Sequence, residues 1–160
     1  MSTKTNAVRI LDQYKVGYGL REYEVNEDDL SADHVAEAIG VSPGSLYKTL
    51  VLKGSNSGYL VAVIPGNEHL DLKKIAKASG NKSCEMIPVK DILAVTGYIR
   101  GGCSPIGMKK LFPTYLEEVA QLEDKISISA GKRGLQIILD PTDLLSVVQG
   151  KFVDVVITSF

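Results

Sequence analysis

In the stretch Tyr47-Lys48-Thr49-Leu50-Val51-Leu52 a lysine stands at the head of an apolar run. Side chains alternate along a strand, so Lys48 shares one face with Leu50 and Leu52, while Tyr47, Thr49 and Val51 share the other. Either face is apolar two residues on. The ammonium therefore either snorkels out at the strand end or points into a pocket. A pocketed lysine is suited to hold an anionic ligand. Two glycine-rich stretches offer backbone groups for the same task. Gly101-Gly102 carries flexible N–H groups that can cradle an anion or oxyanion; the plainer reading is a loop that needs glycine for its turns. Ser129 stands at a strand end beside Gly131 and Gly134, which allow close approach of a ligand.

Other chemistries find little support. Ser129-Ala130-Gly131-Lys132-Arg133-Gly134 invites a phosphate-loop reading, but the P-loop spacing is absent and strand periodicity, not a helix, follows it. The sequence has two histidines, His34 and His69, in helix-entry and loop contexts, and no Ser-His-Asp or Cys-His set can be assembled around them. Cys84 and Cys103 form no CxxC pair and lie far in sequence from both histidines, so no metal and no cofactor are expected. Both read as small buried or half-buried thiols, with a reactive role for Cys103 allowed by its glycine-rich loop but not required. Glu27, Asp28 and Asp29 read as an exposed acidic loop. Lys73, Lys74, Lys77, Lys109, Lys110, Lys132 and Arg133 are either a solvated face or a phosphate-facing rim.

The elements that must position these groups follow from periodicity and punctuation. Helices are expected over residues 3–15, over 31–40 behind a Ser31 N-cap and before Gly40, over 70–80, over 88–97 and over 140–150 behind Asp140-Pro141. Strands are expected over 18–25, 47–53, 59–64 and 84–88, and over 152–157 at the end of the chain, while residues 114–122 read as a short strand running into a turn of helix. Ile126 and Ile128 alternate with Ser127 and Ser129, and Leu135, Ile137 and Leu139 resume after a glycine-bearing turn, which marks a hairpin. Residues 97–113 form an irregular stretch, a kind that is usually functional or mobile. Mixed elements with adjacent hairpins predict an α+β (mixed α/β) fold, with a mostly antiparallel, barrel-like central sheet and surrounding helices.

Bulk properties set the frame. A chain of 160 residues, 44% hydrophobic and 23% charged, predicts one soluble domain over residues 1–160. Its N-terminus lacks a signal-peptide core and no apolar run is long enough to span a bilayer, so a cytoplasmic protein with no membrane partner is expected. The net charge of −1 argues against tight, unaided binding to nucleic acid. Residues alone thus support a small pocket for an anionic or ester-bearing ligand.

The order of Leu46-Tyr47-Lys48-Thr49-Leu50, Gly101-Gly102-Cys103-Ser104-Pro105-Ile106-Gly107-Met108-Lys109-Lys110 and Ser129-Ala130-Gly131-Lys132-Arg133-Gly134-Leu135 resembles the YbaK/EbsC family. These are free-standing relatives of the editing domain of bacterial prolyl-tRNA synthetases, and the resemblance runs from about residue 5 to 157. It implies deacylation of mischarged tRNA, most typically Cys-tRNA(Pro), with prolyl-tRNA synthetase as a partner. It also implies that Lys48 is the catalytic residue, that Gly101, Gly102 and Ser129 bind the substrate, and that Tyr23 lines the pocket. A cysteinyl ester carries its own thiol, which can attack the carbonyl and leave as a thiolactone; no protein nucleophile is then needed. Two positions depart from the pattern. Gln136 stands where the family is often acidic. Leu30 or Ser31 stands where some members carry a pocket phenylalanine, so that role is not transferred.

Three readings remain open on sequence. One is the deacylase, with Cys-tRNA(Pro) or, through attack by water, Ala- or Ser-tRNA as substrate. Another is a non-catalytic module that binds an aminoacylated end or a protein. The third is a binder of small anions.

Overall fold

The computed structural model describes residues 4–158. Helix α1 (Asn6–Gln13) starts at Thr5, whose side chain accepts a hydrogen bond from the Val8 N–H. It is shorter than expected at both ends, and residue 3 of the expected span lies outside the described residues. Strand β1 (Gly19–Glu22) is half the expected length. Helix α2 (Ala32–Ile39) is capped as its sequence foretells: Ser31 accepts from the His34 N–H, and Gly40 closes it at φ 76°. Strands β2 (Tyr47–Gly54) and β3 (Gly58–Pro65) form the expected hairpin. Helix α3 (Leu72–Ser79) and strand β4 (Cys84–Met86) follow, then a turn of 3-10 helix leading into the short α4 (Ile92–Thr96). Strand β5 (Thr114–Glu117) runs into a 3-10 turn. Strands β6 (Ile126–Ser129) and β7 (Leu135–Leu139) make the second hairpin, and α5 (Pro141–Val148) and β8 (Lys151–Val153) complete the chain.

The strands form two sheets. One has the order β1-β7-β6 and the other β4-β2-β3-β5-β8. Pairing is antiparallel except where β5 runs parallel to β3 and β8 parallel to β5. The fold is α+β with a mostly antiparallel arrangement, as expected. Its barrel-like aspect is realised as two open sheets joined by one parallel bridge, Leu46 to Ser127.

The near-continuous apolar run of β3 has a simple cause. Its Val61 and Val63 enter a core built with α1, β6, β7 and α5, while Leu60, Ala62 and Ile64 enter a second core under α3. Both faces are covered, so both parities must be apolar. Strand β2 divides likewise: Tyr47 joins the first core and Leu52 the second. A third, small cluster of Val35, Ala36 and Leu46, with Tyr23 packed against it, seats α2 over the start of β2. Lys48 lies beside that junction.

The last strand is cut short by side-chain bonds. The buried Glu117 carboxylate accepts from the Val155 N–H at 3.0 Å and from the Val119 N–H at 2.7 Å. Lys74 Nζ donates to Asp154 at 3.0 Å, to the Val156 carbonyl at 2.8 Å and to Thr158 at 3.0 Å. These bonds turn the chain out of the sheet after Val153 and tie it to α3.

Candidate active site

Where α2, the head of β2, the 100–103 loop and the β6–β7 hairpin meet, a cleft of about 420 Å³ opens. Its walls include Tyr23, Lys48, Thr49, Gly101, Cys103 and Ser129. That is room for an amino-acid ester and part of the sugar it is joined to. A second hollow, about 310 Å³ between α1, α5 and the 105–112 segment, is lined by groups such as Ile10, Phe112 and Val147, with Lys110 its one charged lining group. The cleft beside Lys48 holds the convergent polar groups.

Lys48 stands opposite Ile64 on the β2–β3 ladder. It is half-buried, and Nζ donates to the Gly66 carbonyl at 3.3 Å. That carbonyl is close because Gly66 has no side chain: a Cβ there would lie 2.4 Å from the Ala32 Cβ of α2. Among the described residues Lys48 has no carboxylate within ion-pair distance. Burial holds its ammonium below the ordinary lysine value, and the more distant charges of Asp33 and Glu68 offset part of that effect. The strand-head lysine thus lines the cleft, and its other donor positions have no partner among the described residues.

Ser129 is buried at the end of β6, with Oγ accepting from the Gly131 N–H at 3.2 Å. Its hydroxyl proton is not used by that bond. Gln136 faces Ser129 across the hairpin and is also buried. Its Oε1 accepts from the Ser127 hydroxyl at 2.9 Å, a bond a carboxylate at this position would make equally well. Tyr23 extends the β1–β7 pairing through its N–H to the Gly134 carbonyl at 3.0 Å, which brings its ring to the wall of the cleft.

The two adjacent glycines separate. Gly101 lines the cleft at φ 82°, and its N–H has no partner among the described residues. Gly102 is buried behind it. Its N–H donates to the Ile99 carbonyl at 3.0 Å, and a Cβ there would lie 3.0 Å from the Lys132 Cα. Gly102 is therefore a packing glycine whose amide closes a turn, and the pair expected to bind together contributes one free amide.

Leu30 and Cys103, weighed on sequence without an assigned role, also line the cleft, and sequence reasoning missed others, Thr49, Gly66 and Arg100 among them. The Thr49 hydroxyl is buried without a hydrogen-bond partner among the described residues. Burial pushes the Cys103 thiol up to about 11, so at neutral pH it is protonated and a poor nucleophile. The basic rim does not assemble as a unit, because Lys74 is tied to the C-terminal segment and Lys109 Nζ donates to the Ala94 carbonyl at 3.0 Å.

Comparison with known proteins fits this geometry. The family model described as the aminoacyl-tRNA editing domain matches residues 27–147. The chain belongs to the aminoacyl-tRNA editing domain family. Within that family it is 58% identical over 152 residues to EbsC of Enterococcus faecalis, a protein provisionally named a Cys-tRNA(Pro)/Cys-tRNA(Cys) deacylase, covering 95% of this chain and 93% of that one. A proline–tRNA ligase of Thermosipho melanesiensis matches 61% of the chain at 29% identity, over 19% of its own length. A crystal structure described as a candidate trans-editing enzyme for prolyl-tRNA synthetase superimposes with a TM-score of 0.82 at 22% identity, over 98% of this chain and all of that one. That likeness establishes the editing-domain fold. The matched family segment contains Lys48, Gly101 and Ser129 and omits α1 and β1.

Proposed function

We propose that the chain is a single, free-standing editing domain that cleaves the aminoacyl ester of mischarged tRNA, with Cys-tRNA(Pro) as its substrate. The observation that carries this reading is a half-buried lysine without a carboxylate partner, in a cleft shared with a free glycine amide. Its 58% identity to EbsC supports the choice of amino acid.

The geometry suits an ester that supplies its own nucleophile. Cys103 is held protonated and no other thiol lines the cleft. The substrate's thiolate attacks its own carbonyl carbon, forming a carbon–sulfur bond while the carbonyl electrons move onto oxygen. Lys48 and the Gly101 N–H stabilise that oxyanion. When it collapses, the bond to the ribose oxygen breaks. The tRNA leaves with that oxygen, which takes a proton, and cysteine departs as a thiolactone. Ser129 donates to the substrate, and Tyr23 closes the wall around it. The protein's contribution is placement and electrostatics, which for such an intramolecular step is a large share of the barrier.

The test is loss of the ester from cysteinyl-, alanyl- and prolyl-tRNA(Pro). Cysteinyl-tRNA is expected to be cleared and prolyl-tRNA to survive, with Lys48→Ala slower by about 10²–10³-fold, as for loss of an oxyanion-stabilising group. A thiol-blocked cysteinyl ester should be inert. If it is cleaved at the same rate, water is the nucleophile and the alanyl or seryl reading replaces this one. An intact protein that cleaves none of these esters is a binding module.

A further inference from the structure

Arg133 stands at the tip of the β6–β7 hairpin and is not part of the cleft wall, yet it bonds to a wall residue. Its Nε donates to the Arg100 carbonyl at 2.8 Å. That carbonyl and the Gly101 N–H belong to one peptide group. The chain contains no cis peptide bond among its described residues, so the two dipoles of this planar group point in opposite directions. Fixing the Arg100 oxygen on Arg133 turns the Gly101 N–H the opposite way, and Gly101 itself lines the cleft.

The contact is built, not incidental. A Cβ at Gly101 would lie 3.2 Å from Arg133 Nε, and one at Gly102 would lie 3.1 Å from the Arg133 backbone nitrogen. At Gly131 a Cβ would lie 2.9 Å from the Tyr98 ring. Three side-chain-free positions thus let the loop and the hairpin tip interlock. Tyr98 is pinned in turn, its hydroxyl donating to the Ile106 carbonyl. A cationic donor on the carbonyl end also polarises the peptide and makes its N–H a stronger donor.

We infer that Arg133 is a positioning residue for ester cleavage: it orients and polarises the Arg100–Gly101 peptide so that the Gly101 N–H meets the developing oxyanion. This role rests on the proposed deacylase reading and extends it. The alternative for a basic hairpin tip is a contact to tRNA phosphate, and the two differ in what a lysine can replace. Lysine keeps the charge but has no donor at the position of Nε.

The experiment compares wild type, Arg133→Ala and Arg133→Lys on cysteinyl-tRNA(Pro), with thermal melts to confirm folding and added methylguanidinium as a rescue. Both variants are expected to lose about 10–100-fold in kcat with KM within about twofold, a part of the loss for removing one oxyanion donor. Methylguanidinium, and not methylammonium, should restore part of the rate to Arg133→Ala. A lysine variant that matches wild type, with an alanine variant impaired in KM alone and more so at low salt, makes Arg133 a phosphate contact and overturns the role. So does full activity in both variants. An inactive wild type overturns the deacylase reading itself, and this role with it.

Discussion

At the scale of the residue, the decisive feature is Lys48. Its sequence context allowed two fates, snorkelling or a pocket, and local periodicity had no means of choosing. The choice is made by partners remote in sequence: the Gly66 carbonyl that accepts its proton, and the α2 start that packs on Gly66. Its pH behaviour can be stated with sign. Burial lowers the folded-state value below the ordinary 10.5. The cation is the form that stabilises an oxyanion, so activity should fall as pH rises through that lowered value. In stability the sign is opposite. The charged form is disfavoured in the fold, so the lysine's cost is full below its folded value and vanishes as pH rises toward 10.5. Two measurements check this. The cleavage rate, corrected for spontaneous ester loss, should show an alkaline limb below pH 10.5. The stability difference between wild type and Lys48→Met, from denaturant midpoints, should shift in favour of wild type over the same window. An alkaline limb absent up to pH 10.5 removes Lys48 from the mechanism.

At the scale of the element, the sequence was most legible where structure is local. The capped helices α2 and α5 and both hairpins were readable because caps, turns and alternation lie within a few residues of one another. Strand β8 was overestimated: its apolar run continues, but Glu117 and Lys74 take the backbone out of the sheet. The parallel pairings of β5 with β3 and β8 leave no local mark at all. The glycines of the 97–113 stretch were legible as important and not as different. Residue 101 needs glycine for a positive φ, and residue 102 needs it because the hairpin backbone passes 3.0 Å from where a Cβ would stand. That distinction yields a prediction. Gly102→Ala must push the hairpin tip off the loop, with an expected cost of about 1–3 kcal/mol in unfolding free energy and a fall in kcat as Gly101 moves with it. Urea titration and turnover on cysteinyl-tRNA(Pro) test it together. A variant as stable and as active as wild type would mean that the interlock is slack.

At the scale of the whole molecule, the chain must reach a large polyanion with a net charge of −1. Its lysines and arginines are partly committed internally: Lys4 to Asp12, Lys74 to the C-terminal segment, Lys109 to the end of α4 and Arg133 Nε to the loop. Near the cleft this leaves Arg100, Lys132 and the remaining guanidinium nitrogens of Arg133 to meet phosphate. Two or three such contacts predict a log–log salt slope for tRNA affinity of only about −2 to −3, and weak binding at physiological salt. The domain then needs affinity from elsewhere. We propose prolyl-tRNA synthetase as that source, on the likeness of this chain to a stretch of a proline–tRNA ligase. In its presence tRNA would be held by the larger protein and the editing domain would only have to capture the aminoacylated end, a gain in effective concentration and not in contacts. Measured as KM for cysteinyl-tRNA(Pro), adding the synthetase should give at least about a tenfold decrease with kcat unchanged. The Arg133→Lys variant should show the same decrease, because its defect lies in the chemical step. Tight binding of free tRNA with a slope near −6 or steeper would place phosphate contacts on this chain itself, and the synthetase would then be dispensable.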